Sequence, residues 1–118
     1  MTDSAPLESF LPLRPVEFQV VAILATGPRH GYAILQEAED RGEGRAVPGL
    51  ATLYRGLRRL EGEGLIERCD PGDDEDERRR TYALTALGRR VAAAEARRLS
   101  GLVDLTRTAG LLAPEDGP

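Results

Sequence analysis

Lysine and tryptophan are absent from the 118-residue sequence, which has a single cysteine, Cys69, and a single histidine, His30. One cysteine cannot form an internal disulfide, and one His with one Cys provides too few ligands for a His/Cys metal cage within one chain. No apolar run approaches the ~18 residues that a membrane-spanning helix requires. Residues 1–15 lack the basic start and apolar stretch of a signal peptide. We therefore expect a cytoplasmic protein without a metal, a cofactor or a membrane contact.

Charge is unevenly distributed along a chain whose net charge is −4. Residues 70–77 include six acidic residues and no arginine, whereas residues 78–100 include seven arginines and one acidic residue. Residues 45–69 are also net basic. Arginine is permanently charged, and its forked donors suit phosphates and base edges. Because local potential decides where a polyanion binds, the two basic zones keep nucleic acid among the candidate partners.

Hydrophobic spacing predicts one domain of four helices and a β-hairpin. Residues 1–14 lack helical periodicity and indicate a flexible arm, in which Leu11 and Leu13 are the residues able to dock. The predicted helices begin at Pro15 and end before Gly27, span 31–41, span 50–63, and run from the N-cap Thr85 to about Leu112. The predicted strands are 65–69 and 80–84 around a polar tip, with a very short strand as an option at 45–47. Residues 113–118 are expected to be a disordered tail.

This order of elements is typical of a winged helix-turn-helix, so the expected fold is mainly α with a small β-hairpin. We assign residues 15–84 to the winged helix-turn-helix and residues 85–112 to a long C-terminal helix. The apolar side of that helix extends past what a small core can cover, and an exposed apolar stripe usually marks an interface. We therefore predict a two-fold dimer through Val91, Leu99, Leu102, Leu105, Ala109 and Leu112.

The third predicted helix has the pattern of a DNA-reading helix. At 100° per residue, its leucines at 50, 53, 57 and 60 form one stripe, and Arg55, Arg58 and Arg59 fall on the opposite side. Thr52 and Tyr54 flank the arginines. Arginine can pair with guanine or clamp phosphates in the major groove. The alternative is a purely structural role, as an amphipathic helix with a solvated basic face.

The predicted hairpin adds a second basic element, because Arg78, Arg79 and Arg80 lie on its returning side, where a wing would meet the DNA backbone. The acidic residues 73–77 at its tip argue against a contact between the wing and DNA, since they would repel phosphates. They leave open an alternative function, a winged-helix module that binds a protein through its acidic wing. The sequence has no nucleophile–base pair, glycine-rich phosphate loop or metal-ligand spacing, so an enzyme is not expected.

Three segments of the sequence are informative when taken together, and they are, in order, EFQVVAILATGPRHGYAI, TLYRGLRRLEGEGLIE and RRRTYALTALGRR. They closely resemble the PadR family of bacterial transcriptional regulators. The resemblance covers Pro15 to about Leu99 and is most specific from Thr52 to Glu67. The short C-terminal helix is similar to that of the smaller members.

The resemblance implies a homodimeric winged-helix protein, in most cases a repressor, that binds an operator in double-stranded DNA. It implies that Thr52, Tyr54 and Arg55 face DNA, that Tyr32 lies near it, and that the last helix dimerises. A small-molecule effector at the dimer interface is a candidate signal. Arg14 stands where the family usually has a small hydroxyl residue as a helix cap. The scarcity of aromatic residues disfavours the drug-sandwiching mechanism of some relatives.

Three other residues are expected to have structural roles. We expect His30 to cap or pack within its turn, Cys69 to be a buried small hydrophobe and Tyr82 to lie in the core. The functional alternatives are that His30 senses pH and that Cys69 is a redox-active thiol assisted by Arg68.

Overall fold

The computed structural model describes residues 6–42, 49–69 and 79–112. The helices are α1 (Pro15–Leu24), α2 (Gly31–Gly42), α3 (Leu50–Gly62) and α4 (Ala86–Thr108), preceded by a 3₁₀ turn at Leu7–Phe10. The strands are β1 (Arg29–His30), β2 (Ile66–Arg68) and β3 (Thr81–Leu84). The optional strand at 45–47, the acidic tip, Arg78 and the tail 113–118 lie outside the described residues.

The core lies where α1 and α2 pack against α3. Val20, Val21 and Ile34 are fully buried, as are Leu57 and Leu60 of the predicted leucine stripe. Leu50 belongs to the same stripe but is 50% exposed, because it is the first residue of α3 and extends past the edge of the core. The stripe otherwise faces inward as predicted, which turns the opposite side of α3 outward.

Within residues 6–42, 49–69 and 79–112, the sheet has three antiparallel strands in the order β1-β3-β2, of which β2 and β3 were predicted and β1 was not. Glu67 pairs with Ala83 in the hairpin, and Arg29 of β1 pairs with Tyr82. Tyr82 is 1% exposed, as expected for a core residue. β1 has only two residues, too few for an alternating pattern to be visible in the sequence. It joins the start of α2 to the base of the hairpin.

Part of the predicted flexible arm is a packed segment. Leu7, Phe10 and Leu11 pack against the core, and Leu13 is buried. The Leu13 N–H donates to the carboxylate of Glu95 on α4 at 3.1 Å. Leu11 and Leu13 dock as predicted, but the prediction of a loose arm is wrong for residues 7–10, because Leu7 and Phe10 of the 3₁₀ turn also pack against the core.

The start of α4 is attached to the hairpin. Thr85 is the N-cap, as predicted, and its hydroxyl accepts the Gly88 N–H at 2.9 Å and donates to the Gly64 carbonyl at 2.7 Å. Val91 is fully buried in the domain core, so its predicted place in a dimer interface is wrong. No helix among the described residues is long and apolar enough to cross a membrane.

Candidate nucleic-acid interface

The outward side of α3 carries most of the residues of this helix that were predicted to contact DNA. Thr52, Arg55 and Arg58 are exposed, and no acidic residue occurs from Leu50 to Leu60. The Arg55 Nη2 donates to the Thr52 hydroxyl at 3.4 Å, which joins two side chains one turn apart. This side of α3 can therefore offer charged and neutral hydrogen-bond donors to one ligand.

Tyr54 departs from the predicted arrangement. Its side chain is 7% exposed and belongs to the core cluster. Tyr54 follows Leu53 and borders the apolar stripe, and a large ring at the margin of a stripe gains more by burial than by exposure. The prediction that Tyr54 flanks the exposed arginines is wrong.

Arg59 is half exposed and paired with acidic side chains. Its Nε lies 3.2 Å from Oε2 of Glu17, on the first turn of α1, and 3.9 Å from Oε2 of Glu63. The Glu17 side chain is almost fully buried. Sequence reasoning placed Glu17 in the first turn of a helix but gave no sign of this contact, because α1 and α3 are separated in the chain.

A groove of about 340 Å³ lies between the start of α1 and the first half of α3. Its lining includes Thr52, Arg55, Gly56 and Arg59 from α3, and Arg14, Val16 and Glu17 from α1. Gly56 is buried and a Cβ there would lie 3.6 Å from Val16, so the two helices approach closely at this point. Three arginines thus surround one concave surface next to the exposed side of α3.

The base of the wing carries the second basic element. Arg79 is exposed and Arg80 is half-buried. His30 Nδ1 lies 3.1 Å from the Arg79 carbonyl and 3.0 Å from the Thr81 hydroxyl, and the Gly31 N–H donates to the Arg80 carbonyl at 3.0 Å. His30 therefore contacts the hairpin base beside the start of α2 and not its own turn, so the expectation of a capping or packing role within the turn is wrong. Tyr32, one residue further on, is 48% exposed.

The second half of α4 leaves a row of apolar side chains exposed. Leu102 is 47% exposed, Leu105 63% and Leu112 45%. Ala109 is exposed and Leu99 is half-buried. Leu111, not among the predicted interface residues, is 77% exposed. Without Val91, this row has no partner among the residues that the structure describes.

Cys69 is exposed at the end of β2, so the expectation of a buried thiol is wrong. Its N–H bonds to the Thr81 carbonyl at 2.8 Å, which places the residue at the edge of the hairpin rather than under it. Among the residues that the structure describes, no three His, Cys, Asp or Glu side chains group as metal ligands would.

A family model identifies the family of this chain. The profile of the Transcriptional regulator PadR-like family matches residues 20–94, more than half of the chain. A curated relative from Streptomyces fradiae, an uncharacterized 37.1 kDa protein in transposon TN4556, is 40% identical over 87 residues. That match covers 71% of this chain and 24% of the relative, so this chain spans about a quarter of the relative's length.

Solved structures share the fold. A PadR family transcription regulator from Clostridium difficile R20291 superposes with a TM-score of 0.66 at 22% identity, over 79% of this chain and 95% of that chain. Bacillus subtilis PadR in complex with operator DNA superposes with a TM-score of 0.59 at 20% identity, over 70% of this chain and 47% of that chain. At these identities the two structures are evidence for the fold alone.

Proposed function

Because the chain belongs to the PadR-like family of transcriptional regulators, whose members are regulators and not enzymes, we propose that it recognises an operator in double-stranded DNA as a homodimer. The exposed side of α3 is the observation that carries this proposal. Thr52, Arg55 and Arg58 project from it, opposite the leucines that fix α3 in the core. A rigid helix presenting arginine and threonine suits the major groove, where arginine reads guanine O6 and N7.

The base of the wing supplies the proposed backbone contacts. Arg79 and Arg80 belong to a hairpin that is hydrogen-bonded to the start of α2, and Arg78 completes the basic triplet in the sequence. Phosphate contacts set the register of a protein on DNA but do not read its sequence. In this proposal the wing and Tyr32 hold the protein in place, and α3 provides the specificity.

A second copy of the chain is the proposed partner of the exposed row on α4. Leu102, Leu105 and Leu112 project from the second half of the helix, beyond the part that covers the core. A two-fold dimer buries the same row on both copies with one contact. Such a dimer places two α3 helices in successive major grooves, about 34 Å apart, on an inverted repeat.

We propose that the protein represses transcription and is released by a signal that changes the separation of the two α3 helices. A small molecule at the dimer interface would act in this way, because the interface sets that separation. Such a signal would release the DNA without altering any side chain of α3.

Fluorescence anisotropy tests the DNA-binding proposal. The labelled duplexes are the sequence upstream of the protein's own gene and a scrambled version of it, each titrated at several salt concentrations. We expect tighter binding to the upstream duplex and an affinity that falls with salt, by a slope of about −0.9 per phosphate contacted. Weak and equal binding to both would contradict the proposal and favour the protein-interaction module.

A further inference from the structure

Glu17 is the acidic side chain in the lining of the groove between α1 and α3, whose other charged lining residues are arginines. It lies in the first turn of α1 and is 3% exposed. Its Oε1 accepts the backbone N–H of Arg14 at 3.3 Å, and its Oε2 lies 3.2 Å from Arg59 Nε. Stabilisation of the α1 dipole explains a carboxylate in this turn, but it does not explain the pairing with an arginine of α3.

The pairing limits what Arg59 can do when DNA arrives. A phosphate that took the place of Glu17 at Arg59 Nε would leave a buried carboxylate without its counter-charge. A phosphate that bound the two Nη atoms would meet a guanidinium whose charge Glu17 already neutralises. Removing one partner of a buried ion pair is strongly unfavourable, whereas a solvent-exposed ion pair returns little. Arg59 is therefore expected to remain with Glu17 in the complex.

Arg55 is in a different environment in the same groove. It is exposed, and its hydrogen bond to the Thr52 hydroxyl is made to a neutral group. That bond can be exchanged for one to DNA without leaving a charge buried. The two arginines are one turn apart on α3 and line one groove, but only Arg59 is held by a buried carboxylate.

We propose that Glu17 is a positioning residue that withholds Arg59 from phosphate contacts and leaves the DNA contact of this groove to Arg55. The inference rests on the proposed DNA-binding function. It assigns different roles in DNA binding to two arginines that look equivalent in the sequence. It also makes an acidic residue a determinant of how strongly the protein binds DNA of any sequence.

The salt dependence of binding to mixed-sequence DNA tests the assignment. The probe is a fluorescein-labelled duplex of mixed sequence, and the readout is the slope of log affinity against log salt concentration, which steepens by about 0.9 per added phosphate contact. Glu17→Gln retains an oxygen for the Arg14 N–H but removes the charge. We expect it to steepen the slope by about 0.9, because Arg59 gains a phosphate.

Matched arginine variants separate positioning from a structural effect. Arg59→Gln is expected to leave the wild-type slope unchanged, and Arg55→Gln to reduce its size by about 0.9. The double variant Glu17→Gln/Arg59→Gln should return the slope to the wild-type value. Loss of folded protein lowers the apparent affinity but does not steepen the slope.

Two results would overturn the inference: an unchanged slope for folded Glu17→Gln, or a loss for Arg59→Gln equal to that for Arg55→Gln. The arginine comparison decides the matter even if Glu17→Gln does not fold. The unpaired Glu17 carboxylate in Arg59→Gln lowers the fraction of folded protein, but the slope reports on the folded protein that binds. Failure of the wild-type protein to bind any duplex at low salt would instead contradict the proposed function, and it would be evident before any variant is compared.

Discussion

The Glu95 carboxylate accepts the backbone N–H of Leu13 at 3.1 Å, although 82 residues separate the two in the sequence. Glu95 is 1% exposed and also receives two hydrogen bonds from Arg98, at 2.6 and 2.8 Å. The hydrogen bond from the Arg98 guanidinium, with that from Leu13, holds the pKa of Glu95 below its ordinary value although burial opposes this. One ionised side chain thus joins the N-terminal segment to α4.

Replacing Glu95 by Gln should lower the free energy of unfolding by about 1–3 kcal/mol at neutral pH, because charge-assisted hydrogen bonds are lost at a buried site. The folded-state pKa of Glu95 is depressed, so its contribution is complete above the unfolded-state pKa and is lost as pH falls through the folded-state pKa. Urea unfolding of both proteins, from neutral to acidic pH, measures the difference between their free energies of unfolding. This difference should shrink as pH falls.

Glu39→Gln is the matched control for Glu95→Gln, because Glu39 is an exposed glutamate of α2. It should change the free energy of unfolding by less than about 0.5 kcal/mol, as surface substitutions usually do. A difference between wild type and Glu95→Gln that stays constant down to the lowest pH would refute the ionised, hydrogen-bonded state of Glu95.

The contact of Gly88 with Leu65 gives a second stability prediction. A Cβ at position 88 would overlap the carbonyl oxygen of Leu65, so Gly88→Ala should destabilise the fold by about 3 kcal/mol through overpacking. Gly101→Ala in the same helix is the control. A Cβ there meets nothing within 4 Å, and alanine should stabilise the helix by up to about 1 kcal/mol. Thermal unfolding would refute the close approach if both variants gained stability.

The exposed leucines of α4 give a prediction about assembly. Leu105→Glu should weaken the dimer by about two orders of magnitude or more, because two-fold symmetry puts two charges into one apolar interface. Monomer folding should not change, since Leu105 is 63% exposed. Sedimentation velocity over a concentration series measures the association.

Ala93→Glu serves as the control for Leu105→Glu, since Ala93 is exposed on α4 but is not in the apolar row, and it should dimerise like the wild type. A wild-type protein that stays monomeric at every concentration would rule out the proposed dimer, as would equal association of Leu105→Glu and wild type.

The helices could be predicted from the sequence because each depends on local signals. Pro15 begins α1, Thr85 caps α4 and the leucine spacing orients α3, as expected from patterns a few residues long. The family could also be predicted, because its motifs are local. Of the proposed contacts, Thr52 and Arg55 are on the exposed side of α3 where their spacing put them.

The structure departs from the predictions where segments that are distant in the sequence meet. Leu13 is held by Glu95, and Arg59 by Glu17, and no local pattern contains either contact. Val91 lies on the same side of α4 as Leu99 and Leu102, so spacing alone could not separate the part of that side that reaches the core from the part that stays exposed. Tyr54 lies at the margin of its stripe, where ring size and not periodicity decides burial.

The most direct test of the account is the affinity of Arg55→Ala for the upstream duplex and for its scrambled version. A bidentate contact to a base is worth about 1–3 kcal/mol of discrimination, so the variant should lose about tenfold to a hundredfold in affinity for the upstream duplex and most of its preference over the scrambled one. Arg97→Ala, which removes an exposed arginine of α4, should retain that preference. Unchanged affinity and preference in Arg55→Ala would contradict the claim that α3 reads the operator through this residue.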